Sequence, residues 1–267
     1  MRTTPLVSII TIVYNGEKHL EQTINSVLNQ TYPQVEYIII DGGSTDNTIP
    51  IIKKYENRIA YWVSEPDKGI SDAFNKGIAK ATGEIIGIIN ADDWYEPDTV
   101  AKIVTAMEHS DIVFGDVQYW KNSCRSFIQK GALEHLEKDV SIIHPTVFVK
   151  KHCYDRFGAY DLQYRCAMDY EMLVRMKVNQ CRFTYIPEVL AHMRWEGFSD
   201  KKWLLGRREV LAIKNRYFPE RKRASYFFFY KNSFAIAIIK LMERVGLGFL
   251  LKFYRQRFSR LKKRYDN

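Results

Sequence analysis

The chain opens on alternating apolar runs and polar breaks. Leu6 to Val13 is almost continuously β-branched, as expected for a strand buried on both faces. Tyr14-Asn15-Gly16 then reads as a turn. Leu20, Ile24, Val27 and Leu28 fall at helical spacing within Glu17 to Gln30. The pattern repeats. Val35 to Ile40 predicts a second buried strand ending in Asp41-Gly42-Gly43, and Ser44 predicts the cap of a helix running to about Tyr55. Ile59 to Val63 predicts a third strand, Gly69 to Ala81 a helix, and Glu84 to Ile89 a fourth strand. Pro97 predicts the start of another helix, and Asp111 to Phe114 a fifth strand. From Asp116 to Pro187 the pattern is less regular. Val117 to Trp120 and Phe127 to Gln129 suit short antiparallel strands, Ala167 to Val178 a helix, and Phe183 to Ile186 a strand. From Lys201 onward helical spacing dominates.

Strands alternating with helices in this way imply an α/β fold, with a mostly parallel central sheet flanked by helices. Ligands of such sheets bind beyond the carboxyl ends of the strands. The polar residues of this chain collect at those ends: Asn15 after the first strand, Asp41 after the second, Glu65-Pro66-Asp67-Lys68 after the third, and Asn90-Ala91-Asp92-Asp93 after the fourth.

Charge divides the chain in two. Its net charge is +9, but residues 201–267 hold 19 Lys and Arg against 4 Asp and Glu, a balance of +15, which leaves −6 for residues 1–200. The division predicts a catalytic domain over 1–200 and a basic, aromatic-rich helical region over 201–267 that seeks an anionic partner. Cys124, Cys153, Cys166 and Cys181 show no Cys-x-x-Cys spacing and read as reduced thiols of a cytosolic protein. The short polar segment before Leu6 does not read as a signal peptide.

Several side chains suit chemistry. Asp41 closes a buried strand ahead of two glycines, which let a ligand approach the backbone. Its carboxylate can accept a hydrogen bond from a base or ribose, or simply hold the turn. Gly-x-Gly-x-x-Gly is absent, which argues against a dinucleotide oxidoreductase. Asp92 and Asp93 are adjacent carboxylates at a buried strand end and repel unless a cation or a helix cap neutralises them. Mg²⁺ or Mn²⁺ suits such oxygen ligands together with a diphosphate. Asp169 and Glu171 point to different faces of a helix start, so one can face a cleft as a general base or simply favour the helix dipole. His144 and His192 are open to a metal, a phosphate or a structural role.

Five segments together resemble the inverting family 2 glycosyltransferases of GT-A fold, of the type that builds bacterial surface polysaccharides. They are Val7-Ser-Ile-Ile-Thr-Ile-Val-Tyr-Asn15, Ile40-Asp-Gly-Gly-Ser-Thr-Asp-Asn-Thr48, Glu65-Pro-Asp-Lys-Gly-Ile-Ser-Asp-Ala-Phe-Asn-Lys-Gly77, Ala81-Thr-Gly-Glu-Ile-Ile-Gly-Ile-Ile-Asn-Ala-Asp-Asp93 and Ala167-Met-Asp-Tyr-Glu-Met-Leu-Val-Arg175. The resemblance implies that Asp41 binds the uracil or other base, that Tyr14, Asn15 and Glu17 line the nucleotide pocket, and that Lys68 and Asn75 help hold ribose or diphosphate. Asp92 corresponds to the second carboxylate of the family's metal-binding Asp-x-Asp motif, and Asp169 to the base that deprotonates the acceptor hydroxyl. Asn90 stands where the first Asp often is. It can hydrogen-bond ribose but brings no charge. Met168 stands where many members carry Glu.

The implied partners are a nucleotide-diphosphate sugar, UDP-sugar favoured, a lipid-linked glycan acceptor and an anionic membrane surface. Within Ser225 to Phe253, Lys231, Lys240, Arg244 and Lys252 interrupt the apolar stretches, so none reaches the ~20 residues that span a bilayer. Interleaved aromatic and basic residues suit a helix lying in the interface of the cytoplasmic membrane face; the alternative is a helical bundle with a solvated basic face. No nucleic-acid-binding motif accompanies the charge. Two rival functions remain. A sugar-1-phosphate nucleotidyltransferase needs a Gly-rich basic loop after the first strand, and Tyr14-Asn15-Gly16-Glu17 does not supply one. A membrane adaptor that binds nucleotide sugar without catalysis keeps the fold and loses transfer.

Overall fold

A computed structural model describes residues 4–121, 123–194 and 202–244. The chain divides into two compact units, Met1–Gly197 and Phe198–Asn267. The first is a three-layer α/β unit whose elements follow the apolar runs closely. They are β1 (Val7–Val13), α1 (Leu20–Leu28), β2 (Val35–Asp41), α2 (Thr48–Lys54), β3 (Tyr61–Ser64), α3 (Ile70–Lys80), β4 (Ile85–Asn90), β5 (Trp94–Tyr95), α4 (Thr99–Ala106), β6 (Ile112–Lys121), β7 (Cys124–Gln129), β8 (Phe148–Lys150), α5 (Lys151–Phe157), α6 (Met168–Val178) and β9 (Phe183–Arg194). The described part of the second unit holds α7 (Trp203–Tyr217) and α8 (Lys222–Arg244), which pack on each other.

The nine strands form one sheet in the order β3-β2-β1-β4-β8-β6-β9-β5, with β7 paired to β6. β3, β2, β1 and β4 run parallel, and β6 pairs parallel with β9. β8 is antiparallel to both β4 and β6, so it carries the second parallel group in the direction of the first. Val7, Ile9 and Ile10 of β1 and Ile38 to Ile40 of β2 are fully enclosed or nearly so, because helices cover both faces. Each helix turns its apolar stripe inward: Leu20, Ile24 and Val27 of α1, and Ala73, Phe74 and Ile78 of α3, are buried.

Three expectations change. Val117 to Trp120 is not a separate strand but the second half of β6, and β9 continues past Ile186 to Arg194. Gly115 and Pro187 read as breaks in sequence. In the ladder Gly115 pairs with Ile186 and Asp116 with Val189, so Pro187 and Glu188 bulge out where proline has no N–H to donate. Ser44 also does not cap α2, which starts at Thr48 behind Asn47. Its hydroxyl is engaged nearer home.

Candidate active site at the carboxyl edge of the sheet

The register sets the strand ends side by side. Asp41 pairs with Val13 on one side and Ser64 on the other, and Asn90 pairs with Ile12. The loops that leave β1 to β4 therefore start from one edge. Asp41 is fully buried, and its carboxylate accepts from the Gly43 and Ser44 N–H groups at 3.0 and 2.9 Å, from the Ser64 hydroxyl at 2.6 Å, and from the Ser44 hydroxyl. Gly43 takes φ +84, which the tight turn around this carboxylate demands. Asp41 thus builds the loop floor from behind. Any contact with a base would have to reach past the turn it holds.

The next loops are sewn together by side chains. Asn15, at φ 51, donates its N–H to Ser44 Oγ at 2.7 Å and accepts from the Thr45 N–H at 2.9 Å. Glu17 Oε2 accepts from the backbone and side-chain nitrogens of Asn47 at 2.9 and 2.7 Å. Both residues were expected to line a nucleotide pocket. In the structure their polar atoms join the β1–α1 and β2–α2 loops. Tyr14 is 65 % exposed beside them. Gly42 lies under Tyr14 and Asp67: a β-carbon there would meet Asp67 Oδ2 at 2.5 Å and Tyr14 Cδ2 at 3.5 Å. The turns that leave β1, β2 and β3 therefore meet closely around Gly42. Asp67 takes part in this contact and is a residue that the sequence reading did not single out. Lys68 is exposed on the same loop.

The expected metal pair divides. Thr23 of α1 donates to the carbonyls of Ala91 and Asp93 at 2.9 and 2.6 Å and fixes the Asn90–Asp93 loop against α1. Asp92 is half-buried at the edge, and burial pushes its carboxyl above the usual range, against the pull of Arg194 and His19. Asp93 is 1 % exposed. Its Oδ1 accepts from the Arg194 N–H at 3.3 Å, its Oδ2 is buried without a hydrogen bond, and burial followed by repulsion from Asp92 raises its pKa well above the ordinary value. Among the described residues no three His, Cys, Asp or Glu side chains gather at one point. The donor set still fits a hard divalent cation that brings phosphate oxygens and water as its other ligands. One edge carboxylate destabilised by burial has most to gain from such a cation. Asp93, enclosed behind Asp92, is not placed to share it directly.

Arg194 is the other side chain the sequence reading missed. It ends β9, donates to the Asp92 carbonyl and to Gln22 Oε1, and lies 4.5 Å over the Trp94 ring. Trp94 stacks on His192 at 4.9 Å. His192 Nδ1 accepts from Trp120 Nε1 at 3.0 Å and its Nε2 faces Glu96 at 2.7 Å, a neutral, structural histidine rather than a ligand. His144 packs on Phe74 at 4.9 Å, and burial lowers its pKa to about 4.

The far side of the edge is held by α3. Ser71 Oγ donates to the Tyr164 carbonyl at 3.0 Å. Asn75 makes a reciprocal pair with the Tyr160 backbone, both bonds 2.8 Å. Asn75, expected to help hold ribose or diphosphate, spends one hydrogen bond from each of its amide atoms on this tether. Arg175 of α6, paired with buried Glu171 at 3.0 Å, donates to the carbonyls of Gly158 and Ala159 at 2.6 Å each. The segment so fixed leads into Asp169, a half-buried residue in the first turn of α6 whose carboxylate lies within electrostatic reach of the buried Tyr160 hydroxyl.

A model of the family described as "Glycosyl transferase family 2" matches residues 8–183, more than half of the chain. The chain belongs to glycosyl transferase family 2. Among its relatives is an uncharacterised glycosyltransferase of Mycobacterium tuberculosis, 34 % identical over 66 % of this chain and 70 % of that protein. Another is a PGL/p-HBAD biosynthesis glycosyltransferase of Mycobacterium bovis, 30 % identical over 80 % of this chain and 91 % of that one. Solved structures share the GT-A fold. S. aureus TarS 1-349 in complex with UDP-GlcNAc matches with TM-score 0.62 at 18 % identity, over 78 % of this chain and 66 % of that one. The mannosyltransferase PcManGT from Pyrobaculum calidifontis, in complex with GDP-Man and Mn²⁺, matches with TM-score 0.65 at 20 % identity, over 86 % and 70 %. This glycosyltransferase thus has the fold and family that its five segments implied.

Proposed function

We propose that this glycosyltransferase moves a hexosyl or N-acetylhexosaminyl group from a nucleotide-diphosphate sugar, UDP-sugar favoured, to a hydroxyl of a lipid-linked glycan, with inversion, in surface polysaccharide assembly at the cytoplasmic membrane face. The observation that carries the reading is the shared edge: Tyr14, Gly42, Asp67 and Asp92 follow the ends of β1 to β4, and Asp169 follows a segment tethered to α3, which leaves that edge. Neighbours of like fold that hold UDP-GlcNAc, or GDP-Man with Mn²⁺, support the donor class and a divalent cation.

The nucleotide binds at this edge, against Tyr14 and Asp67, with Asn15, Glu17 and Asp41 keeping the loops in place. Lys68 and Asn90 reach the ribose or diphosphate. A Mg²⁺ or Mn²⁺ ion held by Asp92 would supply positive charge to the departing diphosphate. Asp169 takes the proton from the acceptor hydroxyl as its oxygen attacks the anomeric carbon. The bond from that carbon to the diphosphate oxygen breaks, its electrons leave with the nucleoside diphosphate, and attack from the opposite face inverts the centre.

Asp169→Asn should lower turnover by about 10²–10⁴-fold, the usual contribution of a general base. Donor binding, read as thermal stabilisation by UDP-, GDP- and dTDP-sugars with and without Mn²⁺, should persist. Unchanged turnover would remove Asp169 from the role. Donor binding without hydrolysis or transfer across a broad acceptor panel would favour the adaptor.

A further inference from the structure

The C-terminal unit presents its rings to solvent and its hydroxyls to the interior. Along α8, Ser225 is 8 % exposed, Phe229 is half-buried, and half-buried Ser233 has an Oγ that is enclosed without a hydrogen bond. These three share one face at i, i+4 and i+8. On another face, at the same kind of spacing, stand Phe227, Tyr230 and Phe234, which are 66 %, 65 % and 70 % exposed. The stripe covers ~11 Å of helix. A face turned to water is ordinarily polar, so a row of rings there marks a surface with an apolar partner.

The charges around the stripe decide which partner. Arg223 lies in line with the rings, and Arg221, Lys222 and Lys231 are exposed on either side of it. A second copy of this chain would bring its own balance of +15 from residues 201–267 against the first. Duplex nucleic acid would meet the cations through its phosphates and leave the rings unused, and no single-strand-binding motif accompanies the charge. An anionic bilayer surface satisfies both, with phosphates for the cations and the boundary of headgroups and acyl chains for the rings. No helix among the described residues is long and apolar enough to cross a membrane.

We infer that α8 lies in the plane of an anionic bilayer surface, with Phe227, Tyr230 and Phe234 immersed at the acyl boundary and Arg223 and Lys231 in the phosphate layer. The inference rests on the membrane half of the function proposed above and not on its chemistry. The apolar residues 247–251, which the sequence pattern also assigned to this surface, lie outside the described residues.

The test is sedimentation of the full chain with vesicles of phosphatidylcholine alone and of phosphatidylcholine mixed with phosphatidylglycerol. Wild type should bind the anionic vesicles, bind the neutral ones weakly, and lose affinity as salt rises. Changing all three rings to Ser should weaken binding by at least about tenfold per ring. Changing all three to Leu should keep near-wild-type binding, since Leu and Phe enter the membrane with similar free energy. Donor-induced thermal stabilisation should survive in every variant, which shows that the N-terminal unit is intact. The inference is overturned if the Ser variant binds as wild type does or if the Leu variant loses as much as the Ser variant. It is also overturned if wild type ignores vesicles and self-associates through these rings. Vesicle binding by a protein without transfer activity would uphold the inference while refuting the proposed reaction.

Discussion

Replacing Asn75 with Ala separates a tether from a donor contact. Asn75 Oδ1 accepts from the Tyr160 N–H and Nδ2 donates to the Tyr160 carbonyl, each at 2.8 Å, and Tyr160 is 4 % exposed. Alanine removes both bonds and strands a backbone donor and acceptor in a largely enclosed place. A net hydrogen bond contributes about 1 kcal/mol, and a buried group left unpaired costs about 1–3 kcal/mol. Alanine returns about half a kcal/mol as the better helix former in α3. The balance is a loss of about 1.5–5.5 kcal/mol, which in a domain of this size lowers Tm by about 3–22 °C. The loosened segment leads to Asp169, so turnover should fall while donor affinity holds. Thermal unfolding and donor titration on the same preparation read the two effects separately. A Tm within about 1 °C of wild type, with donor affinity weakened about tenfold, would show that the amide faces the donor and refute the tether.

Two further substitutions probe the scaffold. Burial lowers the His144 pKa to about 4 from an ordinary value near 6.5, so the fold keeps it neutral. Its stability contribution is complete above pH ~6.5 and is lost as the pH falls toward 4. His144→Leu should therefore gain on wild type by about 2–4 kcal/mol between those limits in pH-dependent denaturant melts, and parallel curves would refute the assignment. Gly87 sits in β4 where a β-carbon would meet Phe148 Cε1 at 2.3 Å. Gly87→Ala should cost about 1–3 kcal/mol in denaturant unfolding, and pairing it with Phe148→Leu should recover part of the loss.

The N-terminal strands are legible in sequence because burial on both faces leaves short β-branched apolar runs bounded by turn residues. β6 and β9 were read too short for the opposite reason. Gly115 and Pro187 look like stops when taken singly, and only the pairing partner shows that each strand continues through a bulge. The site divides the same way. That Asn15, Asp41 and Asp92 stand at one edge follows from strand order. Which atom each side chain contacts does not, since a short polar side chain near a turn has backbone groups closer than any ligand. Asp41 and Asn75 are the clearest cases. Arg194 was hidden because it stands at the end of a strand whose length was not predicted, and a lone arginine between aromatic residues carries no spacing signal.

The segment between Phe157 and Tyr164 meets its scaffold through side-chain hooks, Ser71, Asn75 and Arg175, and takes no part in the sheet pairing. Its length is therefore free to change without shifting any strand register. A lineage or an engineer can insert, delete or graft residues between the hooks while the strand ends that bear Asp41 and Asp92 stay as they are. On the proposed function, acceptor choice should then change by splicing one loop rather than by redesigning the layered sheet and helices that carry it.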